Sequence, residues 1–212
     1  MKVILKELRK HSPFTLFGAV TGMIIMLLFY NIPTKTAHDI FYTLHPIHVI
    51  LSALVTASMY KIYAKKANPL LLVLIGYVGS VGIATISDSI IPYIGEVLLD
   101  LPNKGIHLGF IEKWWLVNPL ALIGVAIAYF NPTTKFPHAG HVLLSTWASL
   151  FHIIMALGGT IINLGLTLII FIFLFIAVLI PCCLSDIIFP LLFVKKNAKR
   201  LDYGKHKKRA FR

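Results

Sequence analysis

Residues 161–194 read IINLGLTLIIFIFLFIAVLIPCCLSDIIFPLLFV, with a single charged side chain, Asp186, in the whole run. As a helix it would reach ~50 Å at ~1.5 Å per residue, well beyond the ~30 Å of hydrocarbon in a bilayer. It is too long for one upright span and too short for two. Pro181 breaks it at a natural place, which predicts a span to about Leu179 followed by a kinked or surface-lying segment. Directly afterwards the chain turns basic, KKNAKRLDYGKHKKRAFR over Lys195–Arg212. A hydrophobic helix followed by such a tail reads as a membrane span with a cytoplasmic anchor on anionic lipid headgroups.

Working back from that run, five further apolar stretches stand out: Pro13–Tyr30, Ile40–Tyr60, Pro69–Ile94, Trp114–Phe130 and His141–Leu157. Apolar residues make up 58% of the chain and charged ones only 13%, against roughly a quarter charged in a soluble domain. The surplus has to face lipid. The expected fold class is all-α, a polytopic transmembrane helical bundle of about six spans in one membrane domain. The first run follows a basic start, as a signal peptide would, but lacks a small-residue cleavage site and reads as a retained helix. Paired Trp114 and Trp115 stand where an interfacial aromatic belt is expected.

Orientation follows from the basic residues, which give a formal net charge of +12. They gather at Met1–Lys10, Lys61–Lys66 and Lys195–Arg212, while the alternate loops carry only Lys35, Lys104 and Lys113. By the positive-inside rule both termini are cytoplasmic, as in a multi-pass protein of a cell inner membrane. Asp39, Glu96, Asp100 and Glu112 fall on the outer side, and Glu96, Asp100, His107 and Glu112 read as a solvated outer loop. Nothing resembles a nucleic-acid module, so no nucleic-acid partner is expected. Cys182 and Cys183 are adjacent inside an apolar run; they make no disulfide framework and read as apolar filler, with Cys182, one turn before Asp186, able to join a cluster there.

Two polar patterns recur in the same order. HPIHVILS at His45–Ser52 is matched by HAGHVLLS at His138–Ser145, and SDSIIP at Ser87–Pro92 by SDIIFP at Ser185–Pro190. Apolar coincidences between membrane helices are cheap, but His and Asp are rare in spans. The recurrence predicts an internal duplication, with residues 1–94 and 114–194 as three-helix units and 195–212 as the tail. Three spans per unit is an odd number, so the second unit would be inverted, a 3+3 inverted repeat of the kind built into many secondary transporters.

Histidines at i and i+3 share a helix face. His45, His48 and Asp88 can therefore meet toward the outer side, and His138, His141 and Asp186 toward the inner side. Two imidazoles and a carboxylate make an incomplete coordination sphere for zinc, iron or another first-row divalent metal ion. The plainer readings are interfacial histidines wetted by headgroup water and Ser-Asp capping of helix ends. Joint recurrence tips the balance, because ionisable residues inside a membrane are functional by default. No P-loop, GxGxxG, GxSxG, HExxH or CxxC is present.

The order H-x-x-x-S on one span, then a Gly-containing span ending in Asp near a Pro, resembles bacterial membrane-bound metal-dependent hydrolases of the YdjM type. His48, Ser52, Gly79 and Asp88 carry the resemblance over about forty residues. It implies a metal-activated water acting on a lipid or lipid-linked substrate. The paired acids and following His of that family are replaced here by SDSIIP. The leading expectation is thus a transporter of a divalent metal ion, set beside a hydrolase and a non-catalytic subunit whose basic tail docks a partner protein.

Overall fold

A computed structural model describes residues 2–64 and 66–194; the basic tail and its expected lipid contact lie outside the described residues. The elements are α1 (Lys2–Phe29), α2 (Thr34–Tyr63), α3 (Pro69–Leu98), the single-turn α4 (Gly109–Glu112), α5 (Trp114–Phe130), α6 (Lys135–Leu157) and α7 (Leu164–Leu192), with no strand among the described residues. Five of these helices, α1, α2, α3, α6 and α7, are long and apolar enough to cross a membrane. The shorter α5, with 17 residues, reaches ~25 Å, just under the hydrocarbon thickness. Phe17 and Leu28 on α1, Leu70 on α3, and Leu168 and Ile172 on α7 are exposed on the outside of the bundle. Apolar faces that broad suit lipid and not water.

Local chemistry sets the helix ends. Asn68 caps α3, its side-chain oxygen accepting from Leu70 N–H at 2.9 Å, with Pro69 pre-set in the first turn. Asn163 caps α7 in the same way, accepting from Leu166 N–H at 2.8 Å. Gly158 ends α6 in the left-handed conformation, φ 50°.

Packing is reciprocal. The central helices α2 and α6 lie along one another; α1 packs on α6 and α7, and α5 packs on α2 and α3. The contact points are small. A Cβ on Gly124 of α5 would stand 2.4 Å from the Ile50 carbonyl and 2.9 Å from Ala53 Cβ on α2, and one on Gly18 of α1 would stand 2.9 Å from Thr146 Oγ1 on α6. Small residues let membrane helices approach in this way, where lipid supplies no hydrophobic drive between them.

The segment after Pro181 departs from expectation. It neither separates from the span nor lies on the surface: α7 runs on to Leu192, and Ser185 and Asp186 are buried. Pro181 lies inside the regular helix and deprives only one carbonyl, that of Ala177, of its helical donor; a widened π turn follows at Leu184–Ile188. A second π turn at Ile86–Ile90 holds Asp88. In both SDxIxP segments the proline stands four residues after the Asp and five after the Ser. It has no N–H to return to either carbonyl, and the helix opens there.

Candidate metal centre

Asp88 sits at the middle of the bundle, 0% exposed. Its Oδ2 accepts from His48 Nδ1–H at 2.7 Å and His45 Nδ1–H at 2.9 Å; Oδ1 accepts from the hydroxyls of Ser87 and Ser145, both at 2.7 Å. Four donors on one carboxylate suit the ionised form. The bonds to Nδ1 also fix both rings and turn each Nε2 elsewhere. That of His45 looks at the α4 backbone: a Cβ on Gly109 would lie 2.6 Å from it.

Asp186, on α7, also meets two imidazoles, though through Nδ1 of one and Nε2 of the other. Its Oδ2 lies 2.5 Å from His138 Nδ1 and 3.3 Å from His141 Nε2. Each of the two expected triads is therefore brought together, with its three ligand atoms within 4.8 Å of one another.

Their mutual placement differs from the expectation of one outer and one inner site. The rings of His48 and His141 stack, with centroids 5.5 Å apart and planes at 17°. Cys182, read from sequence as filler, stands within ligand reach of both: His48, His141 and Cys182 offer three donor atoms within 4.8 Å. One continuous run results: His45, Asp88 and His48, then His141, Asp186 and His138, with Cys182 at the junction. A carboxylate that orients an imidazole whose other nitrogen faces a metal is the usual outer-shell device of metal sites. Imidazole with thiolate suits zinc and softer ions; imidazole with carboxylate suits iron or zinc.

Hydroxyls tie the halves together. Ser149 Oγ on α6 lies 2.8 Å from the Ser145 carbonyl on its own helix and 3.0 Å from the Ser87 carbonyl on α3. Its one proton is shared between a helical acceptor and a carbonyl to which Pro92 offers no donor. On the opposite side Thr56 Oγ1 on α2 lies 3.1 Å from Ser185 Oγ, which donates to the Gly79 carbonyl at 3.1 Å.

Part of the expected solvated loop is not solvated. Glu96 is buried; His152 Nδ1–H donates to its Oε1 at 2.7 Å and Gly105 N–H to its Oε2 at 3.1 Å. Part of the signal was present as spacing: His152 follows His141 by eleven residues, close to three whole helical turns. Glu112 is exposed as expected, and His107 is half-buried beside His38, at the end of the bundle where α2 starts. Asp100 is exposed as expected, and its ion pair with Lys104 holds its carboxyl below the usual range. No family model, no curated protein and no solved structure matches the chain.

Proposed function

We propose that this chain binds a divalent transition-metal ion, zinc or iron, inside the bundle and moves it across the bilayer between its two His–Asp triads. The observation that carries the reading is the His48–His141 contact. It joins the two triads into one buried run, and the run's far members lie toward opposite ends. His45 faces α4, at the end where α2 begins. His138 lies in the first turn of α6, beside the C-terminal end of α2, where Thr133 N–H donates to Ser58 Oγ at 3.1 Å.

Energetics support an ionic role. An ionised Asp deep in a membrane helix costs ~2.5–3.5 kcal/mol on insertion scales. Two such acids, each placed where it meets two imidazoles, are a costly way to hold a fold that apolar residues would hold better. A cation passing along them offsets that cost.

The inverted repeat belongs to the same proposal. Matching His48 to His141 pairs Ala53 with Thr146 and Thr56 with Ser149; matching Asp88 to Asp186 pairs Ser87 with Ser185. Under that pairing the Gly124–Ala53 and Gly18–Thr146 contacts are counterparts, as are the Thr56–Ser185 and Ser149–Ser87 hydrogen bonds. A duplication accounts for contacts that otherwise have no reason to correspond.

Convergence of the ligands into one cluster also favours a second reading, a metal-dependent hydrolase acting on a lipid-linked substrate. A hydrolase needs a groove open to lipid, whereas five of the six triad residues are buried and only His138, at 15%, is open. The test is metal analysis of purified protein, followed by zinc or iron flux into proteoliposomes. Wild type should carry metal and conduct it, and His48→Ala and His141→Ala should each carry less metal than wild type and conduct none. Bound metal without flux favours the hydrolase; no metal above background in any of the three proteins ends both readings.

A further inference from the structure

Outside the triads, a second group of metal-ligating side chains stands at the opposite end of the bundle from His138. His38 lies near the start of α2, His107 in the connection before α4, and Glu112 at the end of α4. Their donor atoms fall within 4.8 Å of one another. The rings of His38 and His107 have centroids 5.8 Å apart, and His107 Nδ1 is 3.5 Å from Glu112 Oε2. Glu112 is held in place by two donors, the Tyr42 hydroxyl on Oε2 and Leu108 N–H on Oε1 at 3.0 Å. Side-chain exposures of 34%, 28% and 38% for His38, His107 and Glu112 leave the group open to water.

The group also leads inward. His107 packs on His152, with ring centroids 5.2 Å apart at 68°. His152 is 0% exposed, its Nδ1 is held by Glu96, and its Nε2 has no hydrogen-bond partner among the described residues. A buried, oriented imidazole with an unsatisfied nitrogen is costly unless that nitrogen has a use. Phe41 lies between this pair and the triads, stacked on His45 at 5.3 Å and edge-on to His152 at 5.4 Å. Duplication does not generate the group. In the pairing above, His152 corresponds to Met59 and Glu96 to Val194.

We propose that His38, His107 and Glu112 form a water-accessible capture site for a divalent transition-metal ion, separate from the buried triads, with His152 as the next ligand inward. Two imidazoles and one carboxylate leave a fourth position for water, the donor set of an open zinc site. They discriminate against magnesium and calcium, which take oxygen ligands. Binding at this site does not rest on the transport reading.

The test uses full-length protein in detergent with zinc alone as the probe. Histidine modification by diethyl pyrocarbonate, mapped by mass spectrometry, should slow at least fivefold at His38 and His107 on adding micromolar zinc and stay unchanged with equal magnesium. The protection should persist in a His48→Ala/His141→Ala variant, and Glu112→Gln should raise the zinc needed about tenfold or more. Equilibrium dialysis gives an independent readout: the double variant should keep one zinc equivalent, and adding His107→Ala should remove it. Unchanged modification rates with zinc, or loss of protection in the double variant, would overturn the proposal. If wild type and the double variant hold the same single equivalent, the capture site stands and the triad reading falls.

Discussion

Replacing Asp88 with Asn separates the metal-binding role of the triad from a structural one. The carboxylate accepts four hydrogen bonds, two from imidazoles and two from hydroxyls. Asn keeps one acceptor oxygen and puts an NH2 in place of the other, so with the oxygen toward the imidazoles the Ser87 and Ser145 hydroxyls must turn and accept. Bonds to a charged acceptor contribute ~1.5–3 kcal/mol and neutral ones ~0.5–1.5 kcal/mol, a loss of about 1 kcal/mol per bond, roughly 4 kcal/mol in all. Relieving the burial of an ionised acid returns ~2.5–3.5 kcal/mol. Without metal the two nearly cancel, and Asp88→Asn should lower Tm by only about 2–4 °C for a chain of this size. Metal affinity has no such compensation. Even as an orienting group behind His45 and His48, Asp88 is worth 10- to 100-fold in affinity. At free zinc one hundred times the wild-type Kd, wild type gains ~2.7 kcal/mol, a rise of about 5–11 °C. A variant binding 100-fold more weakly gains about 1 °C at the same zinc. The assay is a thermal melt in detergent with and without buffered zinc, both proteins carrying His107→Ala so that the capture site adds nothing to the shift. An Asn variant that keeps the wild-type zinc shift refutes the metal role; one that falls by more than about 10 °C without metal shows the His–Asp contacts to be structural.

Three other outcomes are expected. Gly124→Ala places its Cβ 2.4 Å from the Ile50 carbonyl and should cost ~1–3 kcal/mol, whereas Gly82, with nothing within 4 Å, should tolerate Ala or gain ~0.5–1 kcal/mol; the same melts compare them. Cys182→Ser should weaken cadmium and zinc binding about tenfold or more in a chelator competition, and unchanged affinities would return Cys182 to the role of filler. Burial alone would raise the Glu112 carboxyl, but the Tyr42 hydroxyl, His107 and Leu108 N–H together hold it below its ordinary 4.5. Its folded value lies below its unfolded one, so its contribution is complete above pH 4.5 and disappears as pH falls through the folded value. Tm should drop in that window, and Glu112→Gln should flatten the drop.

The helices and both triads were legible in the sequence for a simple reason: lipid tolerates few polar side chains, so those that recur in order stand out. Asp88 and Asp186 could be assigned partners because HxxH fixes a face. What escaped was long-range. Glu96 follows an apolar segment and precedes a loop, and only the tertiary contact of α3 with α6 gives it His152. The stacking of His48 on His141 depends on the crossing of α2 and α6, which no local spacing encodes. Pro181 misled because proline is a reliable stop for a helix in water. In a bundle the freed carbonyls find hydroxyls and widened turns, and the helix continues.

Under the proposed repeat the two triads share a sequence pattern but not an environment. His45 is covered by α4 and Phe41, while His138 stands partly open at the other end. Ser145 of the second unit bonds Asp88; its counterpart in the pattern is Ser52, buried on α2. Two units of like pattern held in unlike conformations can exchange them, which would open His45 and close His138. The His48–His141 contact lies where the halves meet, and that exchange maps it onto itself. On the transport reading, an ion there would keep the same two imidazoles in both states. Cys182 corresponds to Ala84, so the sulfur belongs to one half only. On that reading the two states would then differ at the junction, where only one half supplies a sulfur, and at the periphery: α4 and Phe41 over His45 at one end, and the first turn of α6 around His138 at the other.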